Sequence, residues 1–143
     1  MNLEKRGNFT YEDLPVGAQF SQQYVITPDV YNRFLDLFGD VSPLHVDDAV
    51  AISCGFPAKL VHGAILNGFI SNFVGMNFPG RRTMELGVDI RFIKTTHVGD
   101  VLTLEAVVKE RLESRQVATL QYRFLREAAI VANGRVSIMI VNL

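Results

Sequence analysis

The chain has 143 residues, 48% of them hydrophobic, and a formal net charge of −1 at pH 7, as expected for a single soluble domain spanning residues 1–143. The balanced charge excludes the basic footprint of a nucleic-acid-binding protein, and no cationic amphipathic stretch indicates a membrane surface. A lone cysteine, Cys54, excludes a disulfide framework and a cysteine-based metal site, so we expect the cytoplasm, or an organelle matrix in a eukaryote.

The N-terminal part of the chain predicts one strand followed by one helix. Residues 1–14 mix both charge signs without an apolar core, so they are not a secretory signal. Residues 18–26 are rich in aromatic and β-branched side chains and predict a strand. Thr27 and Pro28 then suit the cap and first turn of an amphipathic helix, which Gly39 ends.

A proline turn and a short helix follow. Pro43 biases the residue before it toward extended geometry, so the segment from Asp40 to His45 is predicted to be a turn. Asp47 can cap a short second helix that ends near Gly55.

Residues 60–78, LVHGAILNGFISNFVGMNF, form an uncharged run that predicts a long buried helix. Its apolar residues fall on nearly every side of the helical turn, which is typical of a helix enclosed by protein. Gly63, Asn67 and Ser71 form a polar stripe that suits a pocket. The density of polar residues and glycines argues against a membrane span. A second stripe suits a closely approaching backbone: Ala64, Gly68 and Gly75.

The second half of the chain alternates between apolar and polar residues, which predicts four more strands after Gly80. Short turns between alternating strands imply antiparallel neighbours. With the first strand, these make a five-stranded antiparallel sheet that must curl around the long helix, an α+β fold. The residues expected on the buried faces are Val88, Ile90, Phe92, Leu102, Leu104, Ala106, Val108, Ala118, Leu120, Tyr122, Phe124, Val136, Ile138 and Ile140.

Asp40 and His45 bracket the proline turn and form a candidate acid-base pair. The carboxylate can orient the ring or take a proton, and the imidazole titrates near neutral pH, so a water between them could be split across a double bond. The alternative is structural, with Asp40 capping the turn and His45 paired to Asp47.

Gly63 lies near the start of the apolar helix. Helix-start amides lack intrahelical partners and can hold a carbonyl oxygen as it becomes an oxyanion. The alternative is that this glycine only lets the helix approach the sheet.

Three motifs together resemble the MaoC-type hydratases and dehydratases of the hot-dog fold, close to the (R)-specific enoyl-CoA hydratases. They are FGDVSPLH at residues 38–45, VHG at 61–63 and VGD at 98–100. The resemblance implies a long helix wrapped by an antiparallel sheet, with two subunits joined as a homodimer. It also implies roles for the residues above: Asp40 and His45 as the catalytic pair, the Gly63 amide on the thioester oxygen, and His62, Asn67 and Ser71 as substrate-binding residues.

The implied reaction is the reversible addition of water to a trans-2-enoyl thioester of coenzyme A or acyl carrier protein, giving an (R)-3-hydroxyacyl thioester without a metal or redox cofactor. Ser42 departs from the family, which usually has Asn in this turn. Serine makes only part of the amide's hydrogen bonds. The alternatives are a thioesterase of the same fold and a non-catalytic acyl-CoA-binding module.

Overall fold

The computed structural model describes residues 6–141. This part of the chain contains five β-strands, four α-helices and a π-helical turn. In chain order they are β1 (Gln19–Val25), α1 (Pro28–Phe38), α2 (Pro43–Val46), α3 (Asp48–Ser53), α4 (Ala64–Asn72), the π-helical turn Phe73–Asn77, β2 (Thr83–Phe92), β3 (Val101–Leu112), β4 (Val117–Arg126) and β5 (Ala129–Ile140).

The five strands form one antiparallel sheet in the order β1-β3-β4-β5-β2. The predicted five-stranded sheet and its antiparallel pairing are therefore confirmed. The central strands place their predicted apolar residues in the core, and Leu102, Leu104, Leu120 and Phe124 are fully buried there. Strands β1 and β2 form the two edges of the sheet.

Strand β2 departs from the prediction because its apolar residues are not covered. Val88 and Phe92 were predicted to face the core, yet Phe92 is 53% exposed and Val88 is 38% exposed. Leu86 on the same strand is half exposed. The strand pairs only with β5, so its other edge is open in the single chain. An open apolar edge is a surface that invites pairing.

The central helix begins later than predicted. Leu60 and Val61 lie outside the helix, and their N–H groups donate to the main-chain oxygens of Leu44 and Thr96, both at 2.8 Å. Gly63 is the residue that precedes the first helical residue of α4. Beyond α4 the winding loosens into the π-helical turn, and the expected long helix thus spans residues 64–77 in two parts.

One side of this helix is open, whereas its all-round apolar pattern predicted enclosure. Ile65, Leu66 and Ile70 are buried against the sheet. Among residues 6–141, and apart from the helix itself, no atom lies within 4 Å of where a Cβ would stand on Gly68, so the predicted close approach of a backbone is not found within the described chain. The exposed side carries Ala64, Asn67, Gly68, Ser71 and Asn72.

Helices α1 and α3 start where local capping chemistry places them. The Thr27 hydroxyl accepts a hydrogen bond from the Val30 N–H at 3.1 Å, and Gly39 ends α1 with a left-handed φ of 66°. The Asp47 carboxylate accepts the N–H groups of Ala49 and Val50 at the start of α3. Both predicted caps, Thr27 and Asp47, are confirmed. Gly39 and Asp47 bound the connection that carries Asp40 and His45.

Within residues 6–141, no helix is long and apolar enough to cross a membrane.

Candidate active site

Asp40 lies at the start of the connection between α1 and α3, directly after the left-handed Gly39. One of its carboxylate oxygens accepts a hydrogen bond from the Ser42 N–H at 3.2 Å. The turn-capping role considered as an alternative is therefore present. The side chain is nevertheless 52% exposed, which leaves the carboxylate accessible to a reactant.

His45 lies on α2, a single helical turn where an irregular turn was predicted. Pro43 is preset for the first helical turn, so the chain winds once before α3 begins. The ring nitrogen Nδ1 of His45 is 2.8 Å from the Leu60 main-chain oxygen, and the Tyr31 hydroxyl donates to the His45 main-chain oxygen at 2.7 Å. The alternative pairing of His45 with Asp47 does not occur, because the Asp47 carboxylate caps α3 instead.

His62 lies behind this pair and is buried, with 2% of its surface exposed. Its Nε2 is 2.8 Å from the Asp40 main-chain oxygen and 3.8 Å from the Asp40 carboxylate. Its ring stacks on that of His45, with the centroids 4.0 Å apart and an interplanar angle of 28°. The sequence predicted that His62 contacts substrate, but the structure directs its side chain to the two residues in front of it.

The three side chains form a compact cluster. A carboxylate oxygen of Asp40 and one ring nitrogen each of His45 and His62 lie within 4.8 Å of one another. Two hydrogen bonds of about 2.8 Å that share one water can span such a gap. Nε2 is the nitrogen of His62 that lies near the Asp40 carboxylate, and a metal ion there would require it to leave the Asp40 main-chain oxygen. The arrangement therefore favours an acid-base pair acting on a bound water.

Gly63 is the last residue before α4, as the oxyanion prediction requires. Its N–H makes no hydrogen bond within the described chain, and it belongs to the electropositive end of the helix. A Cβ on this residue would lie only 2.5 Å from the ring of Phe92. A side chain at this position would have to displace the exposed Phe92 ring, so the glycine also allows close approach of the start of α4 to β2.

Asn67 and Ser71 continue from Gly63 along α4. Both side chains are exposed on the open side of the helix. Ser71 makes no hydrogen bond back to the preceding turn in the described residues, so its hydroxyl is available to a ligand or to a second subunit. In the single chain this stripe faces outward and lines no enclosed cavity.

Sequence reasoning missed the groups that hold the cluster together. The Leu60 oxygen is a main-chain atom and leaves no signal in the sequence. Tyr31 did leave a signal in the sequence, because a buried tyrosine on an apolar helix face usually needs a hydrogen-bond partner. Two more contacts support this segment from the loop before β3: Thr96 accepts the Val61 N–H, and Nδ1 of His97 is 3.0 Å from the Lys59 oxygen.

A groove of about 690 Å³ lies elsewhere, against strands β1, β3, β4 and β5. Its lining includes the ion pair of Glu105 and Arg123, whose atoms are 2.8 Å apart. Asp40, His45 and Gly63 do not line this groove. We place the candidate active site at Asp40 and His45, because the paired acid-base groups lie there.

The sequence is similar to those of hydratases and dehydratases. A family model described as MaoC like domain matches residues 15–126. The (R)-specific enoyl-CoA hydratase of Aeromonas caviae is 33% identical over 99 residues, which cover 69% of this chain and 74% of that enzyme. The 3-hydroxybutyryl-CoA dehydratase of Methylorubrum extorquens is 27% identical over 111 residues, covering 77% of this chain and 70% of the other.

Solved structures agree with the sequence matches. An R-hydratase from Pseudomonas aeruginosa, in its unliganded form, gives a TM-score of 0.85 at 28% identity over 95% of this chain and 88% of that chain. The (R)-hydratase from Aeromonas caviae involved in PHA biosynthesis gives a TM-score of 0.83 at 28% identity over 90% and 98%. The chain therefore belongs to the MaoC-like domain family and has the hot-dog fold of the R-hydratases.

Proposed function

We propose that this chain catalyses the reversible addition of water to a trans-2-enoyl thioester, giving the (R)-3-hydroxyacyl thioester. The observation that carries the proposal is the spacing of Asp40 and His45, which lie within 4.8 Å of each other. Both contact His62, the residue before Gly63. The printed names of the relatives, an (R)-specific enoyl-CoA hydratase and a 3-hydroxybutyryl-CoA dehydratase, support the same reaction.

Asp40 and His45 would hold the reacting water between them. A carbonyl oxygen only accepts hydrogen bonds, so the contact with Leu60 requires the proton of a neutral His45 ring to be on Nδ1. Nε2 is then the basic nitrogen. As the water oxygen bonds to C3, the pair takes one proton from the water and delivers a proton to C2. The two additions occur on one face of the double bond, because one pair serves both.

Gly63 would stabilise the charge that moves onto the thioester oxygen during this addition. Its N–H is free of hydrogen bonds in the described chain. A preorganised donor at the position of a developing oxyanion contributes about 3 kcal/mol to the transition state. On this proposal, the enolate-like intermediate is stabilised by a main-chain donor.

We also propose that two copies pair as a homodimer. Leu86, Val88 and Phe92 are exposed on the edge strand β2. The ring of Phe92 lies next to Gly63 at the start of α4, and the outer side of α4 is also exposed. Pairing would bury these apolar residues and remove an exposed sheet edge. Asn67 and Ser71 would then line the pocket for the acyl chain, and His62 would remain behind the acid-base pair. We expect a coenzyme A or acyl carrier protein thioester as substrate and the cytoplasm as location.

A thioesterase is the second candidate of the same fold, and a non-catalytic acyl-CoA-binding module is the third. The open side of α4 carries no acidic residue, and residues 64–77 contain no Asp or Glu at all. A binding module would not need Asp40 and His45 together.

An assay of the purified protein with crotonyl-CoA distinguishes the three candidate functions. Hydration removes the absorbance of the enoyl thioester without releasing a thiol, a thioesterase releases the thiol, and a binding module does neither.

A further inference from the structure

We propose that His62 is a positioning residue that holds Asp40 and His45 in their working arrangement, an inference that rests on the hydratase function proposed above. The sequence predicted direct contact of His62 with substrate. The structure instead buries the ring, and each of its contacts described below is with a residue that carries or supports the acid-base pair.

The first contact fixes Asp40. Nε2 of His62 lies 2.8 Å from the Asp40 main-chain oxygen, which can only accept, so this nitrogen carries a proton. The same N–H is 3.8 Å from the Asp40 carboxylate. One donor therefore anchors the main chain of Asp40 and lies close to its charged group.

The second contact fixes the ring of His45. The two imidazoles are stacked at 4.0 Å, and the ring of His62 is in turn packed at 4.6 Å from that of Phe34 on α1. Helix α1 thus supports His45 through His62. With the Leu60 oxygen already holding Nδ1, the stacking restricts the remaining rotation of the His45 ring.

The third observation is a polar atom without a partner. Nδ1 of His62 is buried and has no hydrogen-bond partner among residues 6–141. A buried polar atom in this state lowers stability, and an apolar ring of the same shape would avoid the loss. The presence of an imidazole here, and not an apolar ring of the same shape, is therefore explained by the donor on Nε2.

Two substitutions separate the donor from the ring. His62→Phe keeps an aromatic ring and removes both the donor and the unpartnered Nδ1. His62→Gln removes the ring and keeps an amide N–H that reaches about as far as Nε2. Stability should rank Phe at or above Gln, whereas kcat for crotonyl-CoA hydration should rank Gln above Phe.

We expect kcat of His62→Phe to fall by about 10- to 100-fold, since small displacements of catalytic groups have effects of this size. KM should change little, because the buried ring does not touch substrate. Ser137→Ala is the control: it removes a side-chain hydrogen bond to Thr119, at 3.2 Å between β5 and β4, and neither residue belongs to the cluster of Asp40, His45 and His62. It should hydrate crotonyl-CoA like the wild type.

The proposal is overturned if kcat of the two variants follows their melting temperatures, or if His62→Phe is as active as the wild type. Nitrogen NMR of the wild-type histidines provides a second test that does not depend on the folding of a variant. It should show His62 with its proton on Nε2, and a proton on Nδ1 alone would overturn the proposal. An inactive wild type would instead reject the hydratase function, because the NMR result stands without it.

Discussion

His45 is bonded through Nδ1 to the main-chain oxygen of Leu60, at 2.8 Å. This single contact decides which nitrogen of the ring can act as a base, because the carbonyl accepts a hydrogen bond from Nδ1–H and leaves the lone pair on Nε2. Asp40 lies within 4.8 Å of a ring nitrogen of the same residue. The pair therefore has one fixed tautomer and one accessible carboxylate.

Replacing either member of the pair should abolish most of the activity. We expect Asp40→Asn and His45→Ala each to lower kcat/KM for crotonyl-CoA by about 10²- to 10⁴-fold, the usual contribution of a general acid or base. Melting temperatures should stay close to that of the wild type, because Asp40 is half exposed and neither side chain is in the core. Asp47→Asn is the control, since Asn also caps a helix. Near-normal turnover of Asp40→Asn would reject the role of the carboxylate.

The homodimer depends on the open edge strand. Leu86→Lys on β2 places a charge in the proposed interface and should shift the protein toward monomer, as seen by light scattering at micromolar concentration. Val16→Lys, a similar change at another exposed residue outside the sheet, should leave the mass unchanged. A monomer mass for the wild type at micromolar concentration would reject the homodimer.

Ser71 tests the acyl pocket. It lies eight residues beyond Gly63 on α4, about 12 Å along the helix, which corresponds to the acyl tail and not to the reacting carbons. Ser71→Leu should reduce kcat/KM for C8 enoyl-CoA much more than for C4, because overfilling a cavity costs about 1 to 3 kcal/mol. The residue is exposed in the single chain, so the monomer fold should tolerate the change. A constant ratio across C4, C6 and C8 would contradict the assignment.

Tyr24 should make stability depend on alkaline pH. Burial raises the pKa of Tyr24 to about 12, while the Asn77 side chain and the charge of Arg6 act in the opposite direction. In the unfolded chain the pKa of tyrosine is about 10. Between these values the unfolded state binds fewer protons, so stability falls as the pH rises. Tyr24→Phe should therefore show a shallower fall of the urea midpoint from about pH 9 to pH 11. Equal slopes for the two proteins would contradict the shift.

Local chemistry made much of the fold predictable. The helix cap at Thr27 and the end of α1 at Gly39 depend only on neighbouring residues, and both could therefore be predicted from the local sequence. The alternation in β3 and β4 likewise marks the buried face directly, and the predicted core residues Leu104 and Leu120 are fully buried.

Long-range contacts account for what the sequence did not reveal. The central helix starts late because Val61 donates to Thr96, a residue 35 positions away, a bond that no periodicity encodes. The sequence of β2 and of α4 has the apolar pattern of a covered surface. That pattern does not tell whether the same chain or a second copy covers it. The family resemblance implied a substrate-binding role for His62, which belongs to the VHG motif that ends at Gly63. Its burial against Phe34 follows from the packing of α1 on this segment.

The most direct test of the account is the configuration of the product formed from crotonyl-CoA. Chiral chromatography of the 3-hydroxybutyrate released after hydrolysis should show only the (R) enantiomer, because a fixed acid-base pair adds the hydroxyl to a single face of C3, and the proposed reaction uses the face that gives the (R) product. The same product should be nearly absent with Asp40→Asn and with His45→Ala. An (S) or racemic product, or (R) product that forms equally well without Asp40 and His45, would contradict the account.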